Sequence, residues 1–280
     1  MTDDVQEVRN YVAALEYGIK RLETLPLSLR LVREIHERLM QNVRGDYATP
    51  GEFRRTQNWI GATGSSLENA TYVPPPPTEM MAALSAWEKF LHTRNTLPDL
   101  IQCGLMHEQF EAIHPFLDGN GRVGRLLITL FLIKRRRLSQ PLLYLSAFIE
   151  AHRQDYYDLL QRVRTEGDWK GWLRFFLTGV SEVASEATQR AGQLMTLREE
   201  FNLRLRQSPR ALALLDELFA NPYMTVAKAA SRLDVAIPTA TRAIKLLESE
   251  GLLEKVTGQT WGRLYLARPI LNVIEKPLST

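Results

Sequence analysis

Apolar positions recur at three- and four-residue steps along most of the chain. Val8, Val12, Leu15, Ile19 and Leu22 make one such series and Leu31, Ile35 and Leu39 another, so each predicts a helix with one apolar face. Pro26 and Ser28 interrupt the pattern and predict a fresh helix start between the two. The same periodicity predicts helices over 79–92, 98–113, 122–136 and 150–164, and from Trp169 to about Arg206. Residues 43–78 read differently. Gly45, Pro50, Gly51, Gly61 and Gly64 punctuate them, and 74–77 is a rigid run of prolines. Inside this stretch, 57–62 and 70–73 predict the two short strands of a hairpin around the polar turn Thr63-Gly64-Ser65-Ser66.

From Ser208 the pattern changes again. Ser208-Pro209 starts a helix that reaches Phe219, and 225–233 and 237–250 predict two more, the last closed by Gly251. Residues 252–256 and 263–267 then alternate as strands around Thr257-Gly258-Gln259 and Gly262. Three helices followed by a two-stranded hairpin resembles a winged-helix domain. The expected division is thus 1–195, a helical linker at 196–207, and a winged-helix domain at 208–280.

Composition narrows the function classes. Of the 280 residues, 45% are hydrophobic and 24% charged, which suits a globular protein with a sizeable core. One cysteine, Cys103, excludes an intrachain disulfide framework and any multi-thiolate metal site. The first residues have no apolar core of the kind a secretory signal needs. The longest apolar run, 126–133, is far short of the ~20 residues that span a bilayer. The expected location is therefore the cytoplasm, with no membrane partner.

The string His114-Pro115-Phe116-Leu117-Asp118-Gly119-Asn120-Gly121-Arg122-Val123-Gly124-Arg125 carries the chemistry. Pro115 pushes His114 out of the α region, to a helix end facing a loop. Gly119 and Gly121 let the backbone turn sharply, Asn120 is a favourable N-cap type, and an apolar helix follows. Such a helix start presents free N–H groups and a positive dipole end to an anion. Arg122 and Arg125 share one face of its first turn, where arginine opposes the dipole unless a polyphosphate supplies the opposite charge. Asp118 is a sensible magnesium ligand beside phosphate, and His114 has the pKa range of a general base. There is no P-loop glycine–lysine string, and His107-Glu108 lacks the second histidine of a zincin, since position 111 is Glu111. Cys103 reads as inert core, and the basic run 134–137 as a helix end suited to its dipole.

This string matches the Fic motif, His-x-Phe-x-Asp/Glu-Gly-Asn-Gly-Arg-x-x-Arg, at every defined position. The resemblance extends over roughly residues 5–190 and implies a mainly α fold: a Fic-type helical bundle with a small β-hairpin flap, followed by a winged helix-turn-helix domain. It implies a protein adenylyltransferase that moves AMP from ATP to a Tyr, Ser or Thr hydroxyl of a target protein, the target including the enzyme itself. On that resemblance His114 deprotonates the hydroxyl and Asp118 holds Mg2+. Gly119, Asn120 and Gly121 form an anion hole, Arg122 and Arg125 grip the β- and γ-phosphates, and Gly124 lies within the nucleotide-binding turn. Gln57, Asn58, Trp59, Ile60 and Gly61 resemble the flap that pairs with the target chain by β-augmentation. His152 stands beside the expected nucleotide base, where it touches adenine or ribose or is simply a solvated helix histidine.

The family's inhibitory Ser/Thr-x-x-x-Glu-Gly/Asn string has no full match, Thr196 and Glu200 being followed by Phe201. The expectation is a chain without that upstream restraint, which automodifies readily. Two alternatives accompany this reading: transfer from another donor such as UTP, and a DNA-binding regulator whose Fic domain senses a nucleotide. The second would use Thr239, Thr241, Arg242 and Lys245 of the third winged-helix segment. The net charge of +3 divides as +1 before residue 208 and +2 after it, too small a footprint to favour nucleic acid. A homodimer is compatible with the sequence.

Overall fold

The computed structural model describes residues 3–42, 49–62, 64–256 and 263–275. The chain forms two compact units, Met1–Ala184 and Ser185–Thr280. The first contains α1 (Asp3–Arg21), α2 (Leu29–Leu39), α3 (Pro77–His92), α4 (Asp99–Ile113), α5 (Asn120–Lys134), α6 (Leu145–Ala151), α7 (Arg153–Glu166) and the start of α8 (Trp169–Leu205). α5 is apolar on every side, the signature of a helix surrounded by others. It packs against α1, α2 and α4, and its residues from Leu126 to Leu132 are all buried. Ser28 caps α2, its hydroxyl accepting from Leu31 N–H at 3.4 Å, and Leu31, Ile35 and Leu39 are fully buried.

α1 departs from its expected face. Val8 and Val12 are 65% and 48% exposed, while Tyr11, Ala14, Leu15, Ile19 and Leu22 face the core. The inward stripe is rotated because Gly18 packs tightly against Leu130, where a Cβ would stand 2.9 Å from Leu130 Cδ1. The predicted 57–73 hairpin contracts to a single antiparallel bridge, Ile60 with Tyr72, joined by backbone bonds of 2.8 and 3.0 Å. A 3-10 turn at Leu67–Asn69 occupies part of the connection, and Thr63 lies outside the described residues. The helix expected over 150–164 is two helices that meet at His152, whose φ of −116° and ψ of 37° break the run.

The second unit contains the end of α8, α9 (Pro209–Ala220), β1 (Tyr223–Thr225), α10 (Val226–Leu233), α11 (Ile237–Ser249), β2 (Glu254–Lys255), β3 (Leu264–Leu266) and α12 (Arg268–Glu275). The sheet order is β1-β3-β2, all antiparallel, with Tyr223 opposite Leu266 and Lys255 opposite Tyr265. Phe201 and Leu205 of α8 join Leu214, Leu218, Ile244, Leu247 and Tyr265 in its core. β1 and α12 are additions to the sequence reading: a three-residue strand has no room for alternation. Thr257, Gly258, Gln259 and Gly262, the predicted wing turn, lie outside the described residues. Thr225 caps α10, accepting from Lys228 N–H at 3.2 Å, and Gly251 follows α11 with φ +77°.

Candidate active site

The loop between α4 and α5 holds most of the motif. His114 ends α4 in the left-handed region, φ 48°, because a helical conformation before Pro115 is disfavoured. Its Nδ1–H donates to the Glu111 carbonyl at 3.3 Å, which leaves Nε2 as an acceptor with no partner among the described residues. Burial pushes the imidazole down to about 4, opposed by that hydrogen bond and reinforced by Arg164 and Arg54. At neutral pH the ring is uncharged and able to take a proton.

Gly119 opens α5 with φ +79°, which only glycine adopts at low cost, and a Cβ there would stand 2.9 Å from Met40 Sδ. The N-cap is therefore Gly119, and Asn120 is the first helical residue. The Asn120 amide turns back on the loop instead, accepting from Phe116 N–H and donating to Phe116 C=O, both at 2.8 Å. Asn120 thus shapes the turn with its side chain and offers a ligand only its backbone.

Asp118 accepts from Gly119 N–H at 2.6 Å through Oδ1, while Oδ2 lies 3.4 Å from Arg122 Nη2. Arg122 also meets Glu7 at 3.3 Å. Arg125 has no ion-pair partner within 4 Å among the described residues. No group of three or more metal-ligating side chains exists among the described residues. Asp118, its carboxylate half-exposed, fits a magnesium ion that takes its other ligands from phosphate and water.

Several supports of this loop escaped the sequence reading. His36 is fully buried, stacked on Phe116 with centroids 3.7 Å apart. Gly51 N–H donates to its Nδ1 at 2.9 Å, so Nε2 carries the proton and donates to the Asp118 carbonyl at 3.1 Å. Arg54, 2% exposed, donates to the carbonyls of His114 at 2.9 Å, Thr56 at 3.3 Å, Pro75 at 2.5 Å and Ile113 at 3.4 Å. His107 donates from Nδ1 to the Gly124 carbonyl at 3.2 Å and accepts from Tyr156 Oη–H at 3.0 Å. Only one signal of these was visible in sequence: the polar residues Gln102, His107, Glu108 and Glu111 on several faces of an otherwise apolar α4.

The flap segment is tied to the motif loop. Asn58 donates to the Phe116 carbonyl at 3.0 Å, and Gln57 to the Pro74 carbonyl at 2.9 Å. Tyr72 donates to the Ala112 carbonyl at 2.8 Å. Trp59 points outward, 43% exposed, with its indole donating to Ser65 C=O, and Gly61 lies against Ser65. His152 stands at the break between α6 and α7. Its ring packs 4.3 Å from Phe148 and lines a cavity of about 770 Å³ between α7 and α8, to which no motif residue contributes.

Known proteins share this arrangement. The Fic/DOC family model matches residues 26–132, and the winged helix-turn-helix DNA-binding family model matches 208–254. Over 176 residues the chain is 30% identical to the protein adenylyltransferase Fic of Drosophila grimshawi, covering 62% of this chain and 33% of that protein. Over 177 residues it is 32% identical to the protein adenylyltransferase Fic of Culex quinquefasciatus, covering 62% and 32%. The chain thus spans about a third of the length of the curated relatives it matches. A Fic family protein from Desulfovibrio desulfuricans G20 superposes with a TM-score of 0.60 at 20% identity, covering 95% of this chain and 76% of that one, a likeness of fold. Residues 26–132 are thus similar to Fic/DOC domains, and residues 208–254 to winged helix-turn-helix DNA-binding modules.

Proposed function

We propose that residues 1–195 form a nucleotidyltransferase domain that moves AMP from ATP to a side-chain hydroxyl of a protein, and that 208–280 form an accessory winged-helix domain. One observation carries this reading: a neutral His114, its Nε2 without a partner among the described residues, stands in the loop that leads into a helix N-terminus, with Asp118 nearby. His114 Nε2 takes the hydroxyl proton as the oxygen attacks the α-phosphorus. The bond from that phosphorus to the β-bridging oxygen breaks, and pyrophosphate leaves. The N–H groups of Gly119, Asn120 and Gly121 face the developing charge, and Arg122 and Arg125 hold the outer phosphates. Gly124 permits the close packing behind them. Magnesium, held by Asp118, would neutralise phosphate charge. The protein target would lie along Gln57–Gly61 by main-chain pairing.

The test is transfer of label from ATP by the purified chain. His114→Ala should abolish transfer while leaving ATP binding largely intact, and retained transfer would overturn the assignment. Mass spectrometry after incubation with mixed nucleotides identifies the donor, UTP included.

The winged helix-turn-helix match is compatible with a second reading, a regulator that binds DNA through α11. Arg242 and Lys245 are exposed on that helix, with Thr239 and Thr241 partly so. Salt-dependent duplex binding, undiminished by His114→Ala and lost on replacing Arg242 and Lys245, distinguishes it.

A further inference from the structure

Behind the motif lies a set of buried polar atoms without hydrogen-bond partners: Oε1 of Glu108, Oε1 of Glu111, and Nε and Nη2 of Arg164. None of the roles above uses them. Glu111, only 6% exposed, stands out for where its carboxylate points. A Cβ on Gly124 would lie 2.5 Å from Glu111 Oε1. A Cβ on Gly121 would lie 3.9 Å from the same oxygen and 3.1 Å from Arg125 Nη1. The carboxylate and the guanidinium therefore converge on one side of the first turn of α5, no further apart than those two distances together.

The surroundings of Glu111 are few. On α4 are His107 and Glu108, with His114 bonded to the Glu111 backbone carbonyl, on α5 Arg125, and on α7 Tyr156 and Arg164, with Arg164 stacked 3.8 Å over Tyr72. Burial pushes His107 down to about 3 and Tyr156 up, so these two are neutral and satisfied by each other. The charges that remain are two guanidiniums and two carboxylates. Arg125 is the one guanidinium that also reaches the anion site.

We infer that Glu111 is the buried counter-charge of Arg125 before nucleotide binds, close to it without a direct ion pair, and that a bound phosphate takes over this role as the Glu111 carboxylate picks up a proton from solvent. This rests on the nucleotide reading above. Atoms and charge balance: the phosphate supplies the negative charge opposite the guanidinium, and the buried carboxylate is discharged by one proton. Burial, the largest influence, pushes the Glu111 carboxyl up to about 7, opposed by Arg125 and Arg164. A negative phosphate nearby raises it further. Above about pH 7, then, the empty protein carries Glu111 ionised and the loaded one carries it protonated, so affinity falls as pH rises. The limit is about tenfold per pH unit, one proton's worth. Below about pH 7, Glu111 is protonated in both states and contributes no slope.

Isothermal titration of wild type with Mg-ATP at about pH 8, in buffers of different ionisation enthalpy, reads the proton directly. The expected result is uptake of a large fraction of a proton, lost in Glu111→Gln and recovered in Glu111→Asp. Affinity of Glu111→Gln should be flat over the same range. Binding without uptake, or equal uptake in Glu111→Gln, overturns the inference and leaves the nucleotide reading standing. Absence of ATP binding by wild type overturns the nucleotide reading itself. Should Glu111→Gln fail to fold, infrared difference spectra of wild type decide: ATP addition must raise a protonated-carboxyl stretch, and its absence overturns the inference.

Discussion

The His36 imidazole lies flat on the Phe116 ring, planes within 5° of each other, and its Nε2–H holds the Asp118 carbonyl. A side chain of α2 therefore fixes the loop that carries the proposed base. His36→Ala should cost about 2–4 kcal/mol, from a lost buried ring and an orphaned carbonyl. Chemical denaturation measures it, and a cost below about 0.5 kcal/mol, typical of a surface site, would contradict it.

Three neutral histidines, His36 and His107 buried and His114 half-buried, set an acid limit on stability. Burial pushes His36 and His114 down to about 4 and His107 to about 3. The unfolded chain takes up these protons below about 6.5 and the folded one resists until its own lower value, so stability falls with falling pH across that window. Each group contributes up to about 1.4 kcal/mol per pH unit there. Thermal unfolding between about pH 7 and 5 should show a steep drop, flattened when His107 is replaced by Gln.

Arg54 satisfies four carbonyls with one guanidinium. Arg54→Met keeps the apolar stem and strands those acceptors, at a cost of about 3–5 kcal/mol. Arg54→Lys should recover little, since a single ammonium cannot reproduce the planar fork. Urea unfolding of the two variants side by side tests this.

Gly124→Ala places a methyl where the Glu111 carboxylate lies. The expected loss is about 1–3 kcal/mol, as for overpacking of a dense core. In a Glu111→Ala background the same substitution should cost markedly less, an interaction energy of about 1 kcal/mol or more. Additive losses would mean that the two residues do not share that space.

The motif was legible because its chemistry sits within twelve consecutive residues, so composition and spacing alone bring base, carboxylate, glycines and arginines together. Most helices of both units were legible from their periodicity, α6 and α12 excepted. What surrounds the motif was not. His36, Arg54 and Asn58 reach the loop from 58 to 82 positions away, and nothing in a polar stretch such as Glu52–Gln57 marks one arginine as buried. The outward turn of Val8 and Val12 followed from the close approach of Gly18 to Leu130, a tertiary contact that periodicity does not contain. The Asn120 side chain was assigned by residue type to a cap, and a glycine with positive φ took that place.

Arg54 spans the flap and the motif loop at once, through Thr56 and Pro75 on one side and Ile113 and His114 on the other. The two segments consequently share one opening event. Amide protons across both should exchange with solvent at a common rate, as a single cooperative unit, so that the proposed platform for a target chain loosens together with the segment that holds the proposed base.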